Sequence, residues 1–254
     1  MSPSIWTQCA GRSRIRPLAS RPWRAVEAQH VVTTRKLVDS SEEQEILEKL
    51  IEGHKPPPPV GDEFTGLHYL LSTPFRYPPL PHGSRFGTRA ERSIWYGAEE
   101  RRSAFAEVAY YRLLFLAGTA AALEPIVAPL SVFHVAIRTR RGTDLTVRPF
   151  AAQRNRIASP TAYAASQRLG REMREAGVEA FRYPSARDVR SGVNVGVFSP
   201  GAFGARRPGG LQTWYCVASQ ASVDFSRADL FKHERFSFPR SDFLVNGVLP
   251  RPAV

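Results

Sequence analysis

Ser93-Ile-Trp-Tyr-Gly97, then Ser103-Ala-Phe-Ala-Glu-Val-Ala-Tyr-Tyr-Arg-Leu-Leu-Phe-Leu116, is the stretch whose reading decides the fold. The first part reads as a short strand ended by glycine. Alternate side chains of a strand face opposite ways, so Ile94 and Tyr96 share one face and Trp95 takes the other. The second part repeats Ala104, Phe105, Val108, Ala109, Leu113 and Leu116 at helical spacing. Glu107 stands in its first turns, where a carboxylate meets the positive end of the helix dipole.

Working outward, Thr73–Gly87 is rich in Pro and Gly and reads as an irregular loop, the kind of segment that carries function. Leu67–Ser72 ahead of it reads as a short strand. Ser40 and Glu43 form a capping-box pattern. They open a helix over residues 39–52 with Ile46, Leu47, Leu50 and Ile51 on one face, and Gly53 reads as its stop. Lys55-Pro-Pro-Pro-Pro-Val60 is a stiff polyproline spacer. Residues 1–35 read as irregular with a short strand near Val31. Downstream, strands are expected at Leu130–Ile137, more weakly at Leu145–Val147, and at Val178–Tyr183, Val193–Phe198, Leu211–Ala218 and Ala221–Phe225. Ser159-Pro160 reads as the start of a helix running to about Ala176. Residues 240–254 read as a tail of low structural content. Helices and strands do not alternate regularly, so the expected class is α+β with a mixed or split, mainly antiparallel sheet and flanking helices. The expected division is an N-terminal extension over residues 1–60 and a main domain over 61–254. The apolar stripe of the 39–52 helix needs a cover, either the main domain or a second copy in a homodimer.

Composition excludes several classes. The 254 residues are 43% hydrophobic and carry a net charge of +12, nearly all of it from arginine. No apolar run is long enough for a transmembrane helix, and no secretory leader is visible; the first 24 residues hold arginine and serine without acid, but Trp6, Trp23 and several prolines argue against a transit peptide. A cytoplasmic, non-membrane protein is expected. Cys9 and Cys216 lack metal or redox spacing, and the histidines do not pair, so no metal is expected. There is no phosphate loop and no nucleophile elbow around Ser185. The arginines are scattered, with a modest concentration at Arg138, Arg140, Arg141, Arg148, Arg154 and Arg156. This leaves a non-enzymatic nucleic-acid-binding protein as one alternative.

Arg85, Tyr96 and Glu107 stand at eleven-residue steps among small or apolar neighbours, with Ser185 farther on. Two readings fit. In the first, Arg85 and Glu107 form a structural ion pair, Tyr96 is core and Ser185 caps a turn. In the second, the four converge on a ligand. Ordinary glycoside hydrolysis needs two carboxyl groups. The N-glycosidic bond of NAD needs fewer, because nicotinamide leaves as a neutral molecule. One carboxylate can then stabilise the oxocarbenium-like ribose, a guanidinium can hold pyrophosphate, and an aromatic ring can pack on nicotinamide.

Gly83-Ser-Arg85-Phe-Gly, Tyr96, Ala106-Glu107, Tyr183-Pro-Ser185 and Asn194 in an apolar strand resemble the RES-domain family, toxins of bacterial RES–Xre toxin–antitoxin pairs. The resemblance covers roughly residues 64–225. It implies an ADP-ribosyltransferase-like fold and an activity that consumes NAD as substrate, by glycohydrolase, phosphorylase or ADP-ribosyltransferase chemistry. It implies that Glu107, Arg85 and Tyr96 form the catalytic set, that Arg85, Tyr96, Ser185, Asn194 and, more weakly, Arg76 bind NAD, and that an Xre-like antitoxin is the partner. Nucleic acid is then met only through the antitoxin.

Overall fold

The computed structural model describes residues 3–28, 38–119, 121, 123–229 and 233–251. The short strand expected near Val31 lies outside them. Ten strands are present among the described residues: β1 Arg16–Ser20, β2 Trp23–Glu27, β3 Trp95–Ala98, β4 Ile126–His134, β5 Ile137–Asp144, β6 Ala180–Pro184, β7 Val193–Val197, β8 Gly209–Ala218, β9 Ser222–Arg227 and β10 Arg235–Pro239. They form one sheet in the order β1-β5-β6-β7-β3-β2-β4-β8-β9-β10. Every pairing is antiparallel except β5 with β6. The helices are α1 Ile5–Gln8, α2 Ser41–His54, α3 Tyr69–Arg76, α4 Arg101–Leu116, α5 Arg154–Ile157 and α6 Ala164–Glu175. The class is therefore mixed α and β around a large, mostly antiparallel sheet.

The sheet has a seam. β2 and β3 pair through one rung, Trp23 opposite Ala98. On one side stands β1-β5-β6-β7-β3 and on the other β2-β4-β8-β9-β10. Each half has its own core. Phe105, Ala109, Leu113 and Leu116 of α4 pack on Leu130, Trp214, Phe225 and Phe238 of the second half. Leu169 and Met173 of α6, with Ile5 and Trp6 of α1, pack on Phe86, Phe181 and Tyr183 of the first. A third cluster covers the reverse face, where Leu70, Leu71 and Phe75 of α3 meet Trp95, Val195 and Val197. Full burial of a side chain such as Phe105 or Leu113 contributes about 1.5–3 kcal/mol. The alternation read in β3 holds, since Ile94 and Tyr96 belong to the α6-side cluster and Trp95 to the reverse one.

Several local expectations are corrected. Residues 16–27, read as irregular, form β1 and β2, and β2 lies inside the sheet rather than in an appendage. Leu67–Ser72 is not a strand; Tyr69–Arg76 is α3, with the His68 imidazole accepting from Leu70 N and the Thr73 hydroxyl donating to the Tyr69 carbonyl. A short apolar run does not separate strand from helix by periodicity, and here Leu70, Leu71 and Phe75 lie on one helical face. Leu145–Val147 is a turn, because the Asp144 carboxylate accepts from both the backbone and the hydroxyl of Thr146. Ser159 caps a turn by accepting from Ala162 N, and α6 starts only at Ala164. The tail is also structured: Phe243 and Leu249 enter the α4 core and the Tyr110 hydroxyl donates to the Pro250 carbonyl.

The Ser40–Glu43 capping box forms as read. α2 continues past Gly53 to His54 and ends at the extended Lys55, as a residue preceding proline prefers. Its stripe is uncovered: Ile46, Leu50 and Ile51 are exposed.

Gly170 of α6 shows how tightly the first half holds the loop that carries Arg85. A Cβ at this position would lie 1.9 Å from the Phe86 carbonyl oxygen, which is backbone and cannot swing aside. Gly170→Ala is expected to lower the unfolding free energy by about 1–3 kcal/mol, read as a shift of the urea midpoint at unchanged slope.

Candidate functional site

Glu107 is the seventh residue of α4 and lies beyond the first turn, so side chains rather than the helix dipole hold it. Its Oε1 accepts from Asn194 Nδ2 at 2.7 Å and from Ser185 Oγ at 3.1 Å. Asn194 is buried on β7, opposite Ala98 of β3 and Tyr183 of β6. Ser185 follows β6, where its Oγ accepts from the backbone N–H groups of Arg187 and Asp188, both at 3.1 Å. A hydroxyl has two acceptor sites and one proton. With both acceptor sites filled, the proton is directed onto Glu107. The turn is anchored to the start of α4 by Ser103 Oγ, which donates to Asp188 at 2.6 Å. Gly192 permits that contact, since a Cβ there would lie 1.9 Å from Ser103 Oγ.

Arg85 is buried in the loop that bends back at Ser84 and Gly87. Its guanidinium donates to the Ser159 carbonyl at 2.7 Å and lies over the Tyr163 ring, 4.7 Å from the centroid. It does not pair with Glu107, so the structural ion pair of the first reading is not formed. The Tyr96 hydroxyl lies 3.0 Å from Ser84 Oγ and accepts from Phe86 N at 3.3 Å. Burial pushes its phenol up to about 12. Arg76 stands apart from this group. It pairs with Glu52 at 3.0 Å, donates to the Pro56 carbonyl, and so clips the end of α3 to the end of α2. It does not line the cavity described next.

A cavity of about 440 Å³ opens at the seam of the sheet, lined among others by Arg24, Arg85, Tyr96, Glu107, Tyr163 and Asn194. Ser185 stands behind Glu107 rather than on this cavity. Like Tyr163, Arg24, on β2, is a lining residue that the sequence reading missed. Its guanidinium donates to the Tyr96 carbonyl and lies 5.4 Å from the Trp95 ring centroid. Desolvation lowers its pKa to about 10. The available signal was an arginine set between Trp23 and Ala25-Val26, obscured by the neighbouring Arg21 and Glu27. At the cavity rim Arg112 pairs with Glu27. Neither Arg24 nor Arg85 has a carboxylate partner among the described residues.

The RES domain family model matches residues 62–219 of this chain. The chain belongs to the RES-domain family. A comparison with curated proteins finds no match. Arg85, Tyr96, Glu107, Tyr163, Ser185 and Asn194 lie within the RES-matched span, whereas Arg24 reaches the same cavity from upstream of it.

Among the described residues no His, Cys, Asp and Glu side chains group as a metal site, and no helix is long and apolar enough to cross a membrane. The arginines at 138, 140, 141, 148, 154 and 156 are exposed. Arg141 serves the fold, donating to the Ala176 and Gly177 carbonyls at the end of α6.

The Tyr96 shift has a definite sign. The folded pKa lies above the unfolded value of about 10, so the unfolded chain loses this proton first as pH rises. Stability contributed by the neutral phenol is complete below pH 10 and is lost between about 10 and about 12. Tyr96→Phe should flatten the alkaline fall of the urea-unfolding free energy across that window.

Proposed function

We propose that this RES-domain chain is an NAD-consuming toxin enzyme that cleaves the nicotinamide–ribose bond. One observation carries the reading: Glu107, an immobilised carboxylate with no arginine partner, shares a cavity with two guanidiniums that lack carboxylate partners, while the other lining carboxylate, Glu27, is paired with Arg112. Desolvated guanidiniums without counter-charges favour an anionic ligand, and the pyrophosphate of NAD supplies two charges in the geometry that arginine forks match. Nicotinamide needs no acid to leave, which is consistent with a cavity whose second carboxylate, Glu27, is engaged by Arg112.

In this reading Glu107 stabilises the positive charge that develops on the ribose as the C–N bond breaks. Oε1 is held by Asn194 and Ser185, and Oε2 has no protein donor among the described residues, so it is free to take a ribose hydroxyl. The donors keep the carboxylate preorganised, so little reorganisation is needed as charge appears. Arg24 and Arg85 hold the diphosphate. Tyr96 and Tyr163 supply the aromatic walls for the nicotinamide end. An Xre-like antitoxin is the proposed partner, silencing the enzyme by covering the cavity mouth near the exposed Tyr111 and Phe115.

Glu107→Gln preserves an oxygen acceptor for Asn194 and Ser185 while removing the charge. It should lower nicotinamide release from NAD by about 100-fold or more, with an unchanged thermal unfolding midpoint. Wild-type turnover by the folded variant would refute the assignment. Mass spectrometry of the products names the acceptor: ADP-ribose for water, ADP-ribose 1″-phosphate for phosphate, and a modified polypeptide for ADP-ribosyl transfer.

A further inference from the structure

A second cavity, of about 350 Å³, lies on the other side of Glu107, with Arg154, Asn155, Ser185, Arg187, Asp188 and Asp242 among its lining residues. Two side-chain contacts form the wall between the cavities. Ser185 lines the second and donates to Glu107, which lines the first. Arg187 lines the second and donates to the Tyr163 hydroxyl, on the first, at 3.3 Å. The NAD reading leaves this chamber without a role.

Its charges are unevenly satisfied. Arg187 is 4% exposed, and its guanidinium lies 3.5 Å from the Tyr110 ring centroid. A cation–π contact of this kind offsets part of the desolvation of the guanidinium. It supplies no acceptor to the remaining N–H donors, and Arg187 has no carboxylate partner among the described residues. A guanidinium in that state has an incomplete shell. The adjacent Asp188 does not complete it: that carboxylate accepts from Ser103 Oγ and Arg190 N and lies 3.4 Å from Arg102. Arg154 adds a second, exposed guanidinium at the rim, and Asn155 adds an amide. Asp242 is the opposing charge. Among the lining residues Arg154 and Arg187 balance Asp188 and Asp242; Arg102, from outside the lining, is set against Asp188, and counting it leaves one net positive charge.

We infer that this second cavity is a binding site for a small oxyanion of the phosphate class, held between Arg187 and Arg154. Guanidinium forks match the oxygen spacing of such a group. The volume exceeds that of a lone phosphate, so the same chemistry can arrive free or as the terminal monoester of a small sugar phosphate. The site is independent of what the first cavity turns over, and its test uses no NAD.

Isothermal titration of the full chain with potassium phosphate, and separately with ribose 5-phosphate, at constant ionic strength, reads the site directly. Saturable one-site binding is expected with at least one of the two, and the tighter of them identifies the source. Arg154→Gln should weaken it about 5-fold, and Asp242→Asn, which removes the opposing carboxylate, should tighten it by a similar factor of about 5. Neither residue is in the buried core, and an unchanged melting temperature checks that both variants fold. Glu107→Gln should bind the anion as the wild type does. Absence of saturable binding with both probes overturns the inference. So does binding that ignores Arg154→Gln and Asp242→Asn, or that responds to Glu107→Gln instead, because the anion would then sit in the first cavity.

Discussion

A sheet that parts after one rung leaves backbone groups without ladder partners, and the seam between β2 and β3 is where this molecule meets that constraint. Trp23 opposite Ala98 is the join. Beyond it the Tyr96 carbonyl is met by the Arg24 guanidinium instead of a backbone N–H. The substitution satisfies the acceptor and brings a desolvated positive charge to the floor of a cavity. Had β2 and β3 zipped along their full length, the space between them would be closed and Arg24 would have no reason to lie there. The two halves on either side are separately packed, with α4 covering one and α6 the other. The gap therefore does not cost the sheet its cores.

The carboxylate is controlled by a different economy of bonds. Ser185 Oγ is saturated by two backbone donors, so its proton can point only at Glu107. Asn194 approaches the same oxygen from the sheet. Glu107 thus belongs to α4, yet its orientation is set by the turn after β6 and by β7. Ser103 of α4 donates to Asp188 of that turn, which ties the helix to the turn. A site built this way has its charge fixed before a ligand arrives.

Much of this was legible in the residues and some of it was not. β3, α4, β6 and β7 announced themselves through periodicity. The eleven-residue steps drew attention to Arg85, Tyr96 and Glu107, which do line one cavity. Whether Arg85 and Glu107 pair stayed open in the sequence, because no local pattern says that Asn194 and Ser185 will claim the carboxylate while Tyr163 claims the guanidinium. Arg76, the weaker candidate in a loop rich in proline, sits at the end of a helix through Pro74 and pairs with Glu52. Arg24 was passed over because β2 gains its place mainly from partners more than a hundred residues away in β4. Long-range pairing of that sort leaves no periodic trace in a five-residue strand.

The span recognisable as RES domain begins at residue 62, while the strand that carries Arg24 ends at Glu27. The working unit is therefore longer than the homologous one. A recombinant fragment trimmed to the recognised span would lack β1 and β2, leave an edge of β4 unpaired and remove one wall of the cavity. Domain boundaries drawn from family resemblance alone would here cut through the very chamber they are meant to preserve.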